Sequence, residues 1–207
     1  FSLRHAGRAG RLDYQIAGGA RESEGHREGA DGTTRSLLGR IGYELGGGWS
    51  LATTLDVASG RASDPGVEGT PPPPVRPQFE SDDAMGIVTL TRRHGGGDRA
   101  REGYVKVWLD DGSIDWLQWD ASRRETFRTL TDWRNYGVKV EDRFAVGGRG
   151  DLTLGLEIER YGGASSEARP RGSVALGDFL FGNRAAYAGY SHEFGEKVRV
   201  VPSIGVR

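Results

Sequence analysis

Glycine-rich turns recur along this chain at nearly even spacing, and each is flanked by runs in which apolar and polar residues alternate. The turns are Gly7-Arg8-Ala9-Gly10, Gly46-Gly47-Gly48, Gly95-Gly96-Gly97-Asp98, Gly147-Gly148-Arg149-Gly150 and Gly195-Glu196-Lys197. Glycine supplies the positive φ that tight hairpin turns require. Period-two alternation places every second side chain on the same face of a strand. Longer polar stretches join the hairpins at their other ends. One tight link and one long link per hairpin is the layout of an antiparallel barrel wall that crosses a membrane. A propeller has a similar repeat length but needs several tight turns per blade.

The alternation assigns faces. Leu12, Tyr14 and Ile16 lie on one side of the first clear run, with Asp13, Gln15 and Arg21 on the other. Leu37, Ile41, Tyr43 and Leu45 oppose Ser36, Arg40 and Glu44; Trp49, Leu51, Thr53, Leu55 and Val57 oppose Ser50, Thr54 and Asp56. Further on, Tyr136, Val138, Val140, Phe144 and Val146 oppose Asn135, Lys139, Glu141 and Arg143, with Asp142 as a charge on the apolar side. Such a charge costs least near a membrane interface or at a bulge. Polar loops are expected over 22–34, over 60–83 with Pro71-Pro72-Pro73-Pro74, and over 162–182. Asp110-Asp111-Gly112 reads as a tight turn or a bulge, Ile114 to Trp119 as a continuation or a separate strand, and Asp110, Asp111, Asp115 and Asp120 as a polar loop. Pro202 has no N–H for a ladder and demands a bulge or an edge position. The expected fold is all-β: an antiparallel transmembrane β-barrel segment of about ten strands in five hairpins, with short periplasmic turns and long extracellular loops.

Composition agrees. Hydrophobic residues are 36% of 207 and Gly numbers 34, apolar-poor and glycine-rich for a soluble domain. A barrel tolerates this, because only alternate strand residues face lipid. A net charge of −1 gives no electrostatic case for nucleic acid. No run of about 18 apolar residues marks a transmembrane helix. The lack of cysteine removes disulfides and thiolate metal sites. His5, His26, His94 and His192 fall outside any zinc spacing, and no nucleophile elbow or phosphate loop occurs, so neither an enzyme nor a cofactor is expected. The five tryptophans, Trp49, Trp108, Trp116, Trp119 and Trp133, fit either aromatic girdles at the two interfaces or ordinary strand propensity.

Several stretches resemble the barrel of TonB-dependent outer-membrane receptors. They are Tyr14-Gln15-Ile16 through Arg21 with Ser23-Glu24-Gly25-His26-Arg27-Glu28, and Gly39-Arg40-Ile41-Gly42-Tyr43 followed by Trp49-Ser50-Leu51. Later come Tyr136-Gly137-Val138 with Leu152-Thr153-Leu154-Gly155-Leu156-Glu157, and Ala185-Ala186-Tyr187 through Pro202-Ser203-Ile204-Gly205-Val206-Arg207. Glu24 stands where that family often has Asp. The resemblance implies a 22-stranded barrel around an N-terminal plug, of which residues 1–207 would be one partial barrel domain. It implies an outer-membrane location, lipid as the surrounding partner, and the TonB energy-transducing complex acting through the plug. The implied cargo is a metal chelate such as a ferric siderophore. On that reading Arg21, His26, Arg27 and Trp119 are the candidate ligand-binding residues, at strand ends and in long loops. Arginine suits carboxylate or catecholate oxygens. Both ends of the chain read as strands in progress, which predicts an internal piece of a longer protein. The alternatives are a self-contained small outer-membrane barrel, pore or protease, and a soluble all-β binding domain.

Overall fold

A computed structural model describes residues 1–66, 68–69, 77–95, 101–119, 125–147, 149–169, 171–194 and 198–206. All regular structure in it is strand: β1 (Ser2–Ala9), β2 (Leu12–Ser23), β3 (Gly32–Gly46), β4 (Trp49–Ser63), β5 (Gln78–His94), β6 (Arg101–Trp119), β7 (Glu125–Val146), β8 (Gly150–Arg169), β9 (Gly172–Phe194), β10 (Val198–Val200) and β11 (Ser203–Val206). Each pairs antiparallel with its sequence neighbour in one sheet of order β1 to β10, and β11 also pairs with β9. The expected all-β antiparallel meander of ten strand passages is therefore present. It is an open sheet, with β1 at one edge and β10 and β11 at the other.

The short link at 46–48 is built as its glycines dictate, while residues 96–98, 148 and 195–197 of the other glycine-rich turns lie outside the described residues. Gly46, Gly47 and Gly48 have φ of 93°, 61° and 83°. A side chain at Gly48 would also strike the carbonyl of Arg93, which accepts no bulk there. Residues 24–31 form a true loop, β4 ends at Ser63 and β5 begins at Gln78, while β8 and β9 continue to Arg169 and from Gly172. Residues 162–169 and 172–182 are thus strand rather than loop: their serines, glycines and alanines pair through a register that slips once, between Ser165 and Ser166. Asp110-Asp111-Gly112 is neither turn nor bulge, because β6 pairs through it without a shift on both sides. The aspartates there are strand residues, not a polar loop. Pro202 separates β10 from β11 yet leaves the register to β9 intact, with Val200 opposite His192 and Ser203 opposite Gly189. The Tyr190 N–H still donates to the Pro202 carbonyl at 3.0 Å. The proline is accommodated at the sheet edge, not by a bulge. Pro71 to Pro74 lie outside the described residues.

Register sorts the side chains into two faces. One carries Leu12, Ile41, Leu51, Val88, Val107, Val138, Leu156 and Ala186 with their alternate neighbours. On β5 this apolar stretch is bounded by Asp82 and Arg92, ten residues apart. At about 3.4 Å per residue and a tilt near 40°, that separation stands about 26 Å tall. A barrel's lipid band is about 25 Å. Tyr43, Trp49 and Phe144 lie on this face toward the tight-turn end, and Tyr136 near its other border. Asp142 also belongs to this face at the tight-turn end, where its Oδ1 is 2.9 Å from His94 Nε2. The charge on the apolar side therefore sits at the border with a partner.

No hydrophobic residue among those described is buried. Leu156 is 60% exposed and Leu55 52%, while the polar neighbours of Leu55 on β4, Thr54 and Asp56, are only partly exposed. This inverts a soluble fold, in which a sheet's apolar face is covered by a second layer. The accessible surface is 14433 Å², against roughly 9,400 Å² for a compact monomer of this mass.

Candidate functional site

The second face is polar at the tight-turn end and aromatic at the other. Rows read across β5 to β9 show the change. Toward the tight turns runs Thr91, Tyr104, Glu141, Gly155 and Tyr187, then Thr89, Lys106, Lys139, Glu157 and Ala185. Glu141 accepts hydrogen bonds from the Tyr104 hydroxyl at 3.2 Å and from the Tyr187 hydroxyl. Lys139 Nζ lies 3.9 Å from Glu141 and 3.8 Å from Glu157, and 5.3 Å from the centre of the Tyr187 ring. Lys106 stands 5.5 Å over Trp108. Opposite charges on neighbouring strands pair here, so this knot ties four strands together and leaves little net charge.

Above it the rows become Ile87, Trp108, Gly137, Glu159 and Asn183; then Met85, Asp110, Asn135, Tyr161 and Phe181; then Asp83, Gly112, Trp133, Gly163 and Phe179. Phe79 and Trp116 lie further out with ring centres 3.8 Å apart. Tyr161 stacks on Phe181 at 5.3 Å, and Phe179 meets Phe181 at 5.7 Å. Two indoles lie over glycines of the neighbouring strand: Trp133 fills the space above Gly112, and Trp108 that above Gly137. A glycine is required beneath each ring, since any Cβ would overlap it. Two acids of this region, Asp110 and Glu159, have amide partners. Asn135 Nδ2 donates to Asp110 at 2.9 Å, and Asn183 Nδ2 to Glu159 at 3.0 Å. Thr131 and Ser165 share a hydrogen bond of 3.0 Å.

The structure scatters the four candidate ligand residues. Arg21 is exposed at the end of β2, opposite Thr34. His26 and Arg27 come together in the 24–31 loop, where they line a shallow recess of about 410 Å³ with Glu24, Glu28 and Asp31. Arg27 works as a clasp: its Nη2 donates to the carbonyl of Gly66, tying this loop to the next, while its Nε is buried without a hydrogen-bond partner. Trp119 ends β6 opposite Glu125, and its side chain lies outside the described residues. Among the described residues no group of three His, Asp or Glu is arranged to hold a metal ion.

The girdle reading fails for three tryptophans. Trp108, Trp116 and Trp133 lie on the polar face, and among the tryptophans with described side chains only Trp49, beneath Arg92 at 5.4 Å, sits on the apolar one. Parity carried the signal: Trp108 alternates with Val107 and Leu109, and shares its side with Lys106 and Asp110. The missed residues are therefore Trp116, Trp133, Tyr161, Phe179 and Phe181, which gather only once register is known. No protein-family model matches the chain, and no curated protein is significantly similar to it.

Proposed function

We propose that this chain is part of the barrel wall of an outer-membrane receptor that admits a small nutrient, energised through a plug and the TonB complex. One observation carries the reading: an apolar band runs along one face of β2 to β9 and meets charged residues at its borders, with no buried hydrophobic residue among those described. A soluble binding domain would need a second layer over that band. The chain acts by binding and passage rather than by covalent chemistry. The resemblance supplies the energised-receptor part of the proposal, with a metal chelate such as a ferric siderophore as the implied cargo.

Two measurements test it. Single-tryptophan forms keeping Trp49 or Trp108 are placed in vesicles of phosphatidylethanolamine and phosphatidylglycerol. Lipids brominated near the glycerol end of the acyl chain should quench Trp49, and aqueous acrylamide should quench Trp108. Both tryptophans answering equally to acrylamide, and neither to lipid, would refute the wall. In cells making the protein, ligand accumulation should collapse with a protonophore. Accumulation that persists would replace the receptor with a passive pore.

A further inference from the structure

We infer that the aromatic upper half of the polar face binds a neutral, hydroxyl-rich, ring-faced ligand of oligosaccharide chemistry; this rests on the receptor reading and names its cargo class. Aromatic side chains on a barrel's inner wall need a reason, since water-facing positions there are ordinarily polar. Phe79 is 44% exposed, Tyr161 41%, Phe179 46% and Phe181 53%. They form no core, and they alternate with the apolar band instead of belonging to it. Trp133 and Trp108 each pack over a glycine of the neighbouring strand, and Lys106 stands over the Trp108 ring. Trp116 and Trp108 lie eight residues apart on β6, about 27 Å at 3.4 Å per residue. The rings thus form a track, longer than one small molecule, running from the loop end toward the Lys106 and Lys139 knot.

Charge narrows the class. On this face of β5 to β9, above the Lys106 and Lys139 row, the described acids are Asp83, Asp110, Glu159 and Glu167, and the one described cation is Arg169, paired with Glu167. An anionic chelate would meet uncompensated carboxylates over aromatic surface, a repulsion that low-dielectric walls strengthen. Charge thus rules out the anion; Glu141 and Glu157 balance Lys106 and Lys139 below, so against a cation it is the paired donors and acceptors of the lining that favour a neutral polyol. Its hydroxyls donate and accept at once, and the lining offers both functions in adjacent pairs: Asp110 with Asn135, Glu159 with Asn183, and Thr131 with Ser165. The C–H faces of its rings would stack on the indoles and phenyls, as apolar surface does on aromatic faces.

The test uses the full chain in the same vesicles, in a form whose other four tryptophans are replaced by phenylalanine, so that the aromatic track is kept and Trp133 is the sole tryptophan. Maltoheptaose, cellohexaose and chitohexaose are titrated, and an iron(III) tris-catecholate serves as the anionic comparison. At least one neutral oligosaccharide should shift Trp133 emission to the blue and shield it from acrylamide. Asp110→Asn and Glu159→Gln together should weaken that response about tenfold. No response to any of the three sugars at millimolar concentration overturns the inference, and so does tighter binding of the catecholate. The Trp49 lipid-quenching signal in matching vesicles separates the failures. If it persists while Trp133 stays silent, only the cargo class falls; if it is lost, the wall reading falls first.

Discussion

Thr53→Arg compared with Ala52→Arg is the sharpest test of the two faces, because the residues are consecutive on β4 and at nearly the same height. Thr53 lies on the apolar face between Ile41 and Val88, with Leu51 and Leu55 two residues away along its own strand. Its partner Val88 is six residues from Asp82 and four from Arg92, the charged limits of the band on β5. At about 3.4 Å per residue and a 40° tilt, those limits stand about 16 Å above and 10 Å below it. Thr53 is therefore close to mid-band, where an arginine facing lipid costs about 2–4 kcal/mol. Ala52 points to the polar face between Gly42 and Thr89. An arginine there stays hydrated, and its cost should stay within about 1 kcal/mol. The assay is equilibrium guanidinium unfolding of the chain in lipid vesicles, followed by tryptophan fluorescence. Thr53→Leu is the sign control and should be neutral or stabilising. Equal losses at 52 and 53, or a larger loss at 52, would refute the assignment of faces.

Three further outcomes follow from single contacts. Gly112→Ala should lift the Trp133 ring and cost about 1–3 kcal/mol by overpacking, visible as a red-shifted Trp133 emission in the single-tryptophan form; an unchanged spectrum would contradict the ring's seat over the glycine. Arg27→Ala should release the 24–31 loop from Gly66, and a Glu-specific protease should then cut at Glu24 or Glu28 several-fold faster, with the strands left intact. Asp142→Leu should leave His94 without its partner yet add apolar surface at the band's border, so the net change in unfolding free energy should stay within about 1 kcal/mol; a loss of several kcal/mol would place Asp142 in a buried network instead.

The sequence alone determined the class of fold, because turn chemistry and period two are local properties. Gly46-Gly47-Gly48 can only be a tight turn, and Trp49 to Val57 can only alternate. It also determined the apolar face, residue by residue, on most strands. It did not determine where the strands end at the side opposite the tight turns. Residues 162–169 and 172–182 are rich in Gly, Ser and Ala, whose weak strand preference is overridden by pairing with a long neighbour. Nor could it settle Asp110-Asp111-Gly112, since the turn and the unbroken strand use the same residues and only two flanking partners decide between them. The candidate ligand residues were chosen by their place at strand ends and in long loops; among the described side chains the structure gathers only His26 and Arg27, and it uses Arg27 as a clasp. The aromatic track was beyond local reading for a geometric reason. Its rings come from β5, β6, β7, β8 and β9, and cross-strand register, a tertiary property, brings Phe79, Trp133 and Phe181 onto one surface.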